Sequence, residues 1–272
     1  MRALVPLLVL GAVQCGTPPV PTEHHGQSDR EQTEQGIGHT DSVSHLRADV
    51  VQVLPHDPSA FTQGLELHRG TLYEGTGKRG QSVLRAVDPN SGRVLREVRL
   101  PDQLFGEGIT VVGDRVWQLT WKSGLAILRN RTNLAEITRV RYEGEGWGLC
   151  HDGERLIMSD GSARLTFRDP ETFTPTGEVT VRLGGDPAAE LNELECAAGS
   201  VWANVWKSER ILRIDPASGR VTAVVDASGL LRPEQRARAG VLNGIAAVEG
   251  TDEFLLTGKN WPHLYRVRFV PA

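Results

Sequence analysis

The sequence predicts an all-β fold, a five-bladed β-propeller closed by an N-terminal strand. Three observations predict it. A short motif recurs five times at the spacing of propeller blades. A second motif follows each copy at a nearly fixed distance. The last copy has no room for a fourth strand, and a segment near residue 50 can supply one.

The first motif places a polar or aromatic residue before Gly or Glu and then Leu or Ile. Its copies are Gln63-Gly64-Leu65, Glu107-Gly108-Ile109, Trp147-Gly148-Leu149, Asn192-Glu193-Leu194 and Asn243-Gly244-Ile245. Their middle residues lie 44, 40, 45 and 51 positions apart. Each copy opens an inner strand. The second strand ends in the second motif, in which Gly77, Trp121, Gly161 and Trp206 all stand thirteen residues after the middle of the first. Lys259 stands fifteen after, two positions out of phase.

Turns rich in Gly and Asp join these strands, among them His68-Arg69-Gly70, Val112-Gly113-Asp114 and Ala197-Ala198-Gly199, and they read as hairpins. Third strands run into Asp88-Pro89-Asn90-Ser91-Gly92, Asp169-Pro170-Glu171-Thr172 and Asp215-Pro216-Ala217-Ser218-Gly219, turns that lead to a fourth strand. The final repeat stops at Leu264–Phe269, so residues 48–54 are expected to complete it and remove the open edges. A β-sandwich of many short strands would leave five aligned copies of one two-motif pattern unexplained.

The propeller is expected over residues 46–272. Ahead of it, Arg2 and the apolar run Ala3–Val13 have the form of a signal peptide over residues 1–15, too short to span a bilayer. Cys15 is a candidate for lipid attachment, although Gln14 stands where such signals usually carry Gly, Ala or Ser. An exported protein, periplasmic, secreted or held in the envelope by that lipid, is expected. Residues 16–45 contain almost no large apolar side chain and read as a disordered polar linker. His24, His25, His39 and His45 fall in this stretch and have no zinc-ligand spacing.

The body of the chain keeps two cysteines, Cys150 and Cys196. They read first as small buried hydrophobes, with a disulfide open in an exported protein. The chain has 272 residues, 39% of them hydrophobic, enough for a sizeable core, and a net charge of -4 that excludes nucleic acid as its main partner. Sealed edges predict a monomer.

Repetition also predicts a site. Residues at equivalent points of the repeats surround one mouth of the ring, which places Gln63, Glu107, Trp147, Asn192 and Asn243 together, with Trp121, Trp206 and Lys259 beside them. The backbone pattern repeats while the side chains differ, which turns a shared scaffold position into an asymmetric pocket. Two readings remain open at this point: a reactive pocket, or blade packing by the indoles with Glu107 and Lys259 as a structural ion pair. Trp117 and Trp202 lie mid-strand and are expected in the core.

These residues also carry a family resemblance. Phe61-Thr62-Gln63-Gly64-Leu65, Gly106-Glu107-Gly108-Ile109-Thr110, Glu145-Gly146-Trp147-Gly148-Leu149, Leu191-Asn192-Glu193-Leu194-Glu195, Val201–Trp206, Val241-Leu242-Asn243-Gly244-Ile245 and Thr257–Pro262 resemble the signature segments of glutaminyl-peptide cyclotransferases of plant and bacterial type. The match runs in order from about residue 55 to 269. It implies a five-bladed propeller that converts N-terminal Gln of peptides to pyroglutamate with loss of ammonia, needs no cofactor and binds no metal. It further implies Glu107 as proton shuttle, with Lys259 and Asn192 holding the oxyanion. Phe61, Gln63, Trp121, Trp147, Trp206 and Asn243 are expected to bind substrate. Glu74 is a weaker second carboxylate, and strand alternation keeps Glu193 and Glu195 from both entering the pocket. An exported propeller that binds peptides or glycans without catalysis is the alternative. Another is a metal-dependent lactonase using Glu107, Asn192 and Asn243.

Overall fold

The computed structural model describes residues 42–272, so the expected signal peptide, Cys15 and most of the linker lie outside the described residues. Within them the chain is all-β and propeller-like, with a single short helix at Pro233–Arg236. The first strand, Ser44–Pro55, begins two residues before the expected start at Leu46.

Three sheets of four consecutive antiparallel strands follow. The first holds Thr62–His68, Thr71–Thr76, Val83–Val87 and Val94–Arg99; the second runs from Gly106–Val112 to Glu136–Arg141; the third runs from Leu149–His151 to Pro175–Thr180. A small hairpin, Arg182–Leu183 with Asp186–Pro187, precedes the last and largest sheet. This sheet has eight strands rather than two separate sets of four. The first strand joins the two sets: it pairs antiparallel with His263–Pro271, from Leu46 opposite Pro271 to Pro55 opposite His263. Its leading residues, Ser44 to Arg47, pair in parallel with Val221–Asp226. One long strand thus satisfies backbone groups on both neighbours, and the two sets become continuous.

The turns follow from residue type. His68 and Thr71 face each other across the first hairpin, and Gly70 supplies the positive φ of 75° that the turn requires. The core lies between sheets, in clusters of Leu, Val and Ile with a few large rings. Trp117 is buried against Phe173 and its Nε1 donates to Pro170 O at 2.9 Å. Trp202 packs on Phe254 and Phe269. Both are core residues, as their mid-strand positions predict. Cys150 and Cys196, 46 positions apart, form a disulfide, so they are not the two free thiols of the simpler reading. Each sits on the inner strand of its own sheet, and the bond ties those sheets together.

Candidate active site

The repeated motif does its work through a repeated irregularity. The pairing register slips between Thr62 and Gly64, between Gly106 and Ile109, between Leu191 and Leu194, and between Leu242 and Ile245. Each slip is a bulge, which bends the strand and re-aims a side chain. The residues inside the slips are Gln63, Glu107 with Gly108, Asn192 with Glu193, and Asn243 with Gly244. The small middle residue is required by the neighbouring strand. A Cβ on Gly64 would lie 2.5 Å from Ile109 N, one on Gly108 2.6 Å from Trp147 O, and one on Gly148 2.1 Å from Asn192 O. Glu193 breaks this rule and is used differently: its two oxygens accept Leu65 N at 3.1 Å and Ile245 N at 2.8 Å.

Lys259 proves to be in phase. Leu242 faces Gly258 across its strand pair as Thr62 faces Thr76 and Gly106 faces Thr120. The backbone N–H groups of Gly77, Trp121, Trp206 and Lys259 make equivalent bonds to the carbonyls of Phe61, Phe105, Glu190 and Val241. Register is already restored where Ala247 pairs with Phe254, so the two extra residues are absorbed in the turn at 248–252. The apparent offset in sequence is thus corrected by the pairing.

The aromatic wall follows from the same alternation. Where the second motif has Gly, a ring from the segment leading into an inner strand fills the space. A Cβ on Gly77 would lie 2.4 Å from the Phe105 ring, and one on Gly161 2.7 Å from the Trp147 ring. Where it has Trp, the indole itself builds the wall. Phe61 and Phe105 meet edge to face at 6.2 Å, Phe105 and Trp121 lie 5.6 Å apart, and Trp147 and Trp206 meet edge to face at 5.4 Å.

These side chains enclose a cavity of about 430 Å³, lined by Phe61, Gln63, Glu107, Trp121, Trp147, Asn192, Trp206 and Lys259, all expected from the sequence. Phe105, Lys207, Gly240 and Val241 complete it. Asn243, expected in the lining, stands behind it instead. It is fully buried, and its Nδ2 donates to Thr62 O at 3.0 Å and to Gln63 Oε1 at 3.2 Å. This commitment also separates Asn243 from the Glu107–Asn192–Asn243 set that a lactonase metal site would need. Among the described residues no group of three His, Cys, Asp or Glu is gathered to hold a metal. Phe105 and Val241 occupy the place three residues before the motif centre, as Phe61 does, and counting back from each copy finds them.

At the floor, Gln63 Nε2 donates to Glu107 Oε1 at 2.7 Å, while Glu107 Oε2 is buried without a partner. Burial pushes the Glu107 carboxyl well above its usual range; the charge of Lys259 and the bond from Gln63 oppose this, and Glu145 adds to it. Burial lowers the Lys259 ammonium below its ordinary value, and Glu107 opposes that shift. No direct ion pair joins the two among the described residues, so the structural-pair reading gives way to two desolvated groups facing one cavity. Lys259 Nζ sits 5.0 Å from the centre of the Phe61 ring.

Glu145 holds the same place, three residues before the centre of its motif copy, but as a carboxylate where Phe61, Phe105 and Val241 are apolar. Its Oε2 accepts Trp121 Nε1 at 2.7 Å and Trp147 Nε1 at 3.0 Å, and its Oε1 pairs with Lys122 at 3.1 Å. Burial would raise its carboxyl, but bonds from Trp147, Lys122 and Trp121 hold it below its ordinary value. One carboxylate thereby fixes two walls of the cavity. Glu74 lies outside the cavity, in an ionic network with His56 and Arg85. Glu193 and Glu195 also stay out of it.

Comparisons with known proteins point to one family. The family model described as glutamine cyclotransferase matches residues 24–269. A glutaminyl-peptide cyclotransferase of Arabidopsis thaliana is 38% identical over 247 residues, which is 88% of this chain and 77% of that protein. The crystal structure of the Myxococcus xanthus glutaminyl cyclase superposes with a TM-score of 0.77 at 40% identity, covering 85% of this chain and all of that one.

Proposed function

We propose that this chain, which belongs to the glutamine cyclotransferase family, cyclises the N-terminal glutamine of peptides and proteins to pyroglutamate and releases ammonia. The carrying observation is the Glu107 carboxyl, desolvated and with one oxygen unpartnered, at the floor of an indole-walled pocket that also holds Lys259 and Asn192.

The substrate's α-amine attacks its own γ-carboxamide carbon. A C–N bond forms, closing a five-membered ring, and the bond to the amide nitrogen breaks. Both partners belong to one molecule, so the pocket's first task is to hold the folded conformer, and the rigid aromatic walls restrict the chain accordingly. Its second task is proton transfer. Glu107 takes a proton from the amine as it attacks and returns it to the departing nitrogen. A carboxyl raised toward neutrality suits both steps better than an ordinary one. The oxygen that becomes negative in the tetrahedral intermediate is stabilised by the Lys259 ammonium and the Asn192 amide. Asn243 orients Gln63, and Gln63 orients Glu107, through a chain of hydrogen bonds. The apolar walls keep out water, whose attack would give deamidation to Glu instead of a ring.

The finer architecture belongs to the same reading. Five blades over a domain of residues 46–272, the last completed by residues 48–54 within the strand Ser44–Pro55, account for the recurrence of the bulge and for the contact of each motif with the next. Export by the N-terminal segment, with or without a lipid on Cys15, a single-chain state and catalysis without metal complete the proposal.

Incubating the protein with Gln-Ala amide in the presence of a chelator, followed by mass spectrometry, tests it. The expected result is a product lighter by one ammonia. A product that has gained water while losing ammonia, or an unchanged peptide, would overturn the proposal.

A further inference from the structure

The catalytic pocket accounts for one residue of the substrate, yet the peptide continues beyond it. The carbonyl end of the reacting glutamine must leave the pocket on a side where the wall permits it. Five places are equivalent, three residues before each motif centre: Glu145 and Glu190 at two of them do not line the pocket, and of the three that do, Phe61, Phe105 and Val241, only the last is not aromatic. The residue before it, Gly240, has no side chain. The aromatic wall is therefore lowest at Gly240–Val241.

On the far side of this sill lies a second concavity of about 440 Å³. It shares Lys207, Gly240 and Val241 with the catalytic pocket, so the two adjoin along this sill. Its floor is apolar, with buried Leu231, Leu242 and Trp261. Its rim is charged. Arg236 is already paired with Glu209 at 2.9 Å, whereas Lys207 meets no carboxylate among the described residues. Lys207 is exposed, and its Nζ is held 4.1 Å from the centre of the Trp206 ring, at the junction of the two spaces. Another hollow, near Asp57 and Arg85, shares only Phe61 with the pocket.

We infer that the groove beyond Gly240–Val241 is a subsite for the peptide segment following the N-terminal glutamine, and that Lys207 favours substrates with an acidic side chain directly after that glutamine. The inference rests on the cyclisation reading. The substrate crosses the sill with its first peptide bond over Gly240, the second side chain passes Lys207, and the following residues lie on the apolar floor. A single exposed charge changes binding modestly, so the preference is one of KM and is screened by salt.

The test compares kcat/KM, by ammonia release, for Gln-Ala amide, Gln-Ala-Ala-Ala amide, Gln-Glu-Ala-Ala amide and Gln-Lys-Ala-Ala amide. The acidic peptide is expected to exceed the basic one by about 5-fold at low salt, with the gap closing in high salt. Lys207→Glu is expected to reverse the order. In Ala239→Trp, which fills the groove, the advantage of Gln-Ala-Ala-Ala amide over Gln-Ala amide is expected to disappear. Cyclisation of all four peptides at equal efficiency, unaltered in both variants, overturns the subsite while leaving the activity standing. Failure to cyclise any of them removes both.

Discussion

Glu74 and Glu107 are two buried carboxyls on neighbouring sheets, and they have opposite fates. Burial pushes both upward. Around Glu74 it is overcome: the charge and hydrogen bond of His56 at 3.0 Å, the Arg85 guanidinium at 2.7 Å and the Thr62 hydroxyl at 2.7 Å hold it at about 2. His56 donates from both ring nitrogens, to Glu74 and to Trp261 O, which fits an imidazolium. Burial lowers its pKa, but Glu74 raises it more, and the net value lies above the ordinary one. Glu107 has one amide donor and a lysine at a distance, so burial prevails. The difference teaches how to tell a structural carboxylate from a reactive one. Partners that satisfy every oxygen commit the group to stability, and an orphaned oxygen keeps its proton affinity available to a ligand.

Breaking the comparison at Glu107 should give the largest effect. Glu107→Gln is expected to lower kcat for Gln-Ala amide by about 10²–10⁴-fold. It should also raise Tm at neutral pH, because a carboxyl whose folded value is raised resists ionisation above its unfolded value. Near-normal turnover would end the proton-shuttle assignment.

At Glu74 the expected effect is on stability instead. Glu74→Gln leaves Arg85 and His56 without their counter-charge, a loss of about 3–5 kcal/mol in denaturant unfolding. Its pH signature is specific. The contribution of Glu74 is present above its unfolded value and fades as pH falls toward about 2. That of His56 is complete below 6.5 and fades as pH rises through its folded value. The native protein should therefore lose stability toward acid more steeply than the variant. Equal acid melting of the two would contradict the network.

A smaller effect sharpens the Glu107 side. Glu145→Gln removes a negative charge that raises Glu107 and weakens the acceptor shared by Trp121 and Trp147. The acid limb of kcat/KM should move to lower pH, and indole fluorescence should change. KM should rise about 5-fold, the scale of one weakened charge-assisted bond. An unmoved acid limb would reduce Glu145 to a structural role.

Much of the site is legible in the sequence alone. Gln63, Glu107, Trp121, Trp147, Asn192 and Trp206 sit at repeated phases, and repetition in sequence becomes proximity around a ring. Phe105 and Val241 obey a phase of their own, three residues ahead of the motif centre, where the residue type changes from copy to copy and the pattern is faint. Lys259 is displaced along the chain by the length of a turn, which the hydrogen-bonded register ignores. Asn243 holds the right phase, yet its amide bonds to Thr62 and Gln63 rather than facing the cavity. Glu145 shares the phase of Phe105 and Val241, but its role cannot be read from it, because its partners are indoles whose orientation depends on packing from two sheets.

By itself the sequence determined the all-β repeat, the order of the inner strands and most of the side chains at one mouth, because a two-residue strand period and a repeat of 40 to 51 residues are written along the chain. Only the tertiary structure decided the joining of eight strands through Ser44–Pro55, the bond between Cys150 and Cys196, and the division of labour between Glu74 and Glu107. These depend on distances between residues far apart in sequence and on how completely water is excluded from each. No local pattern encodes either quantity.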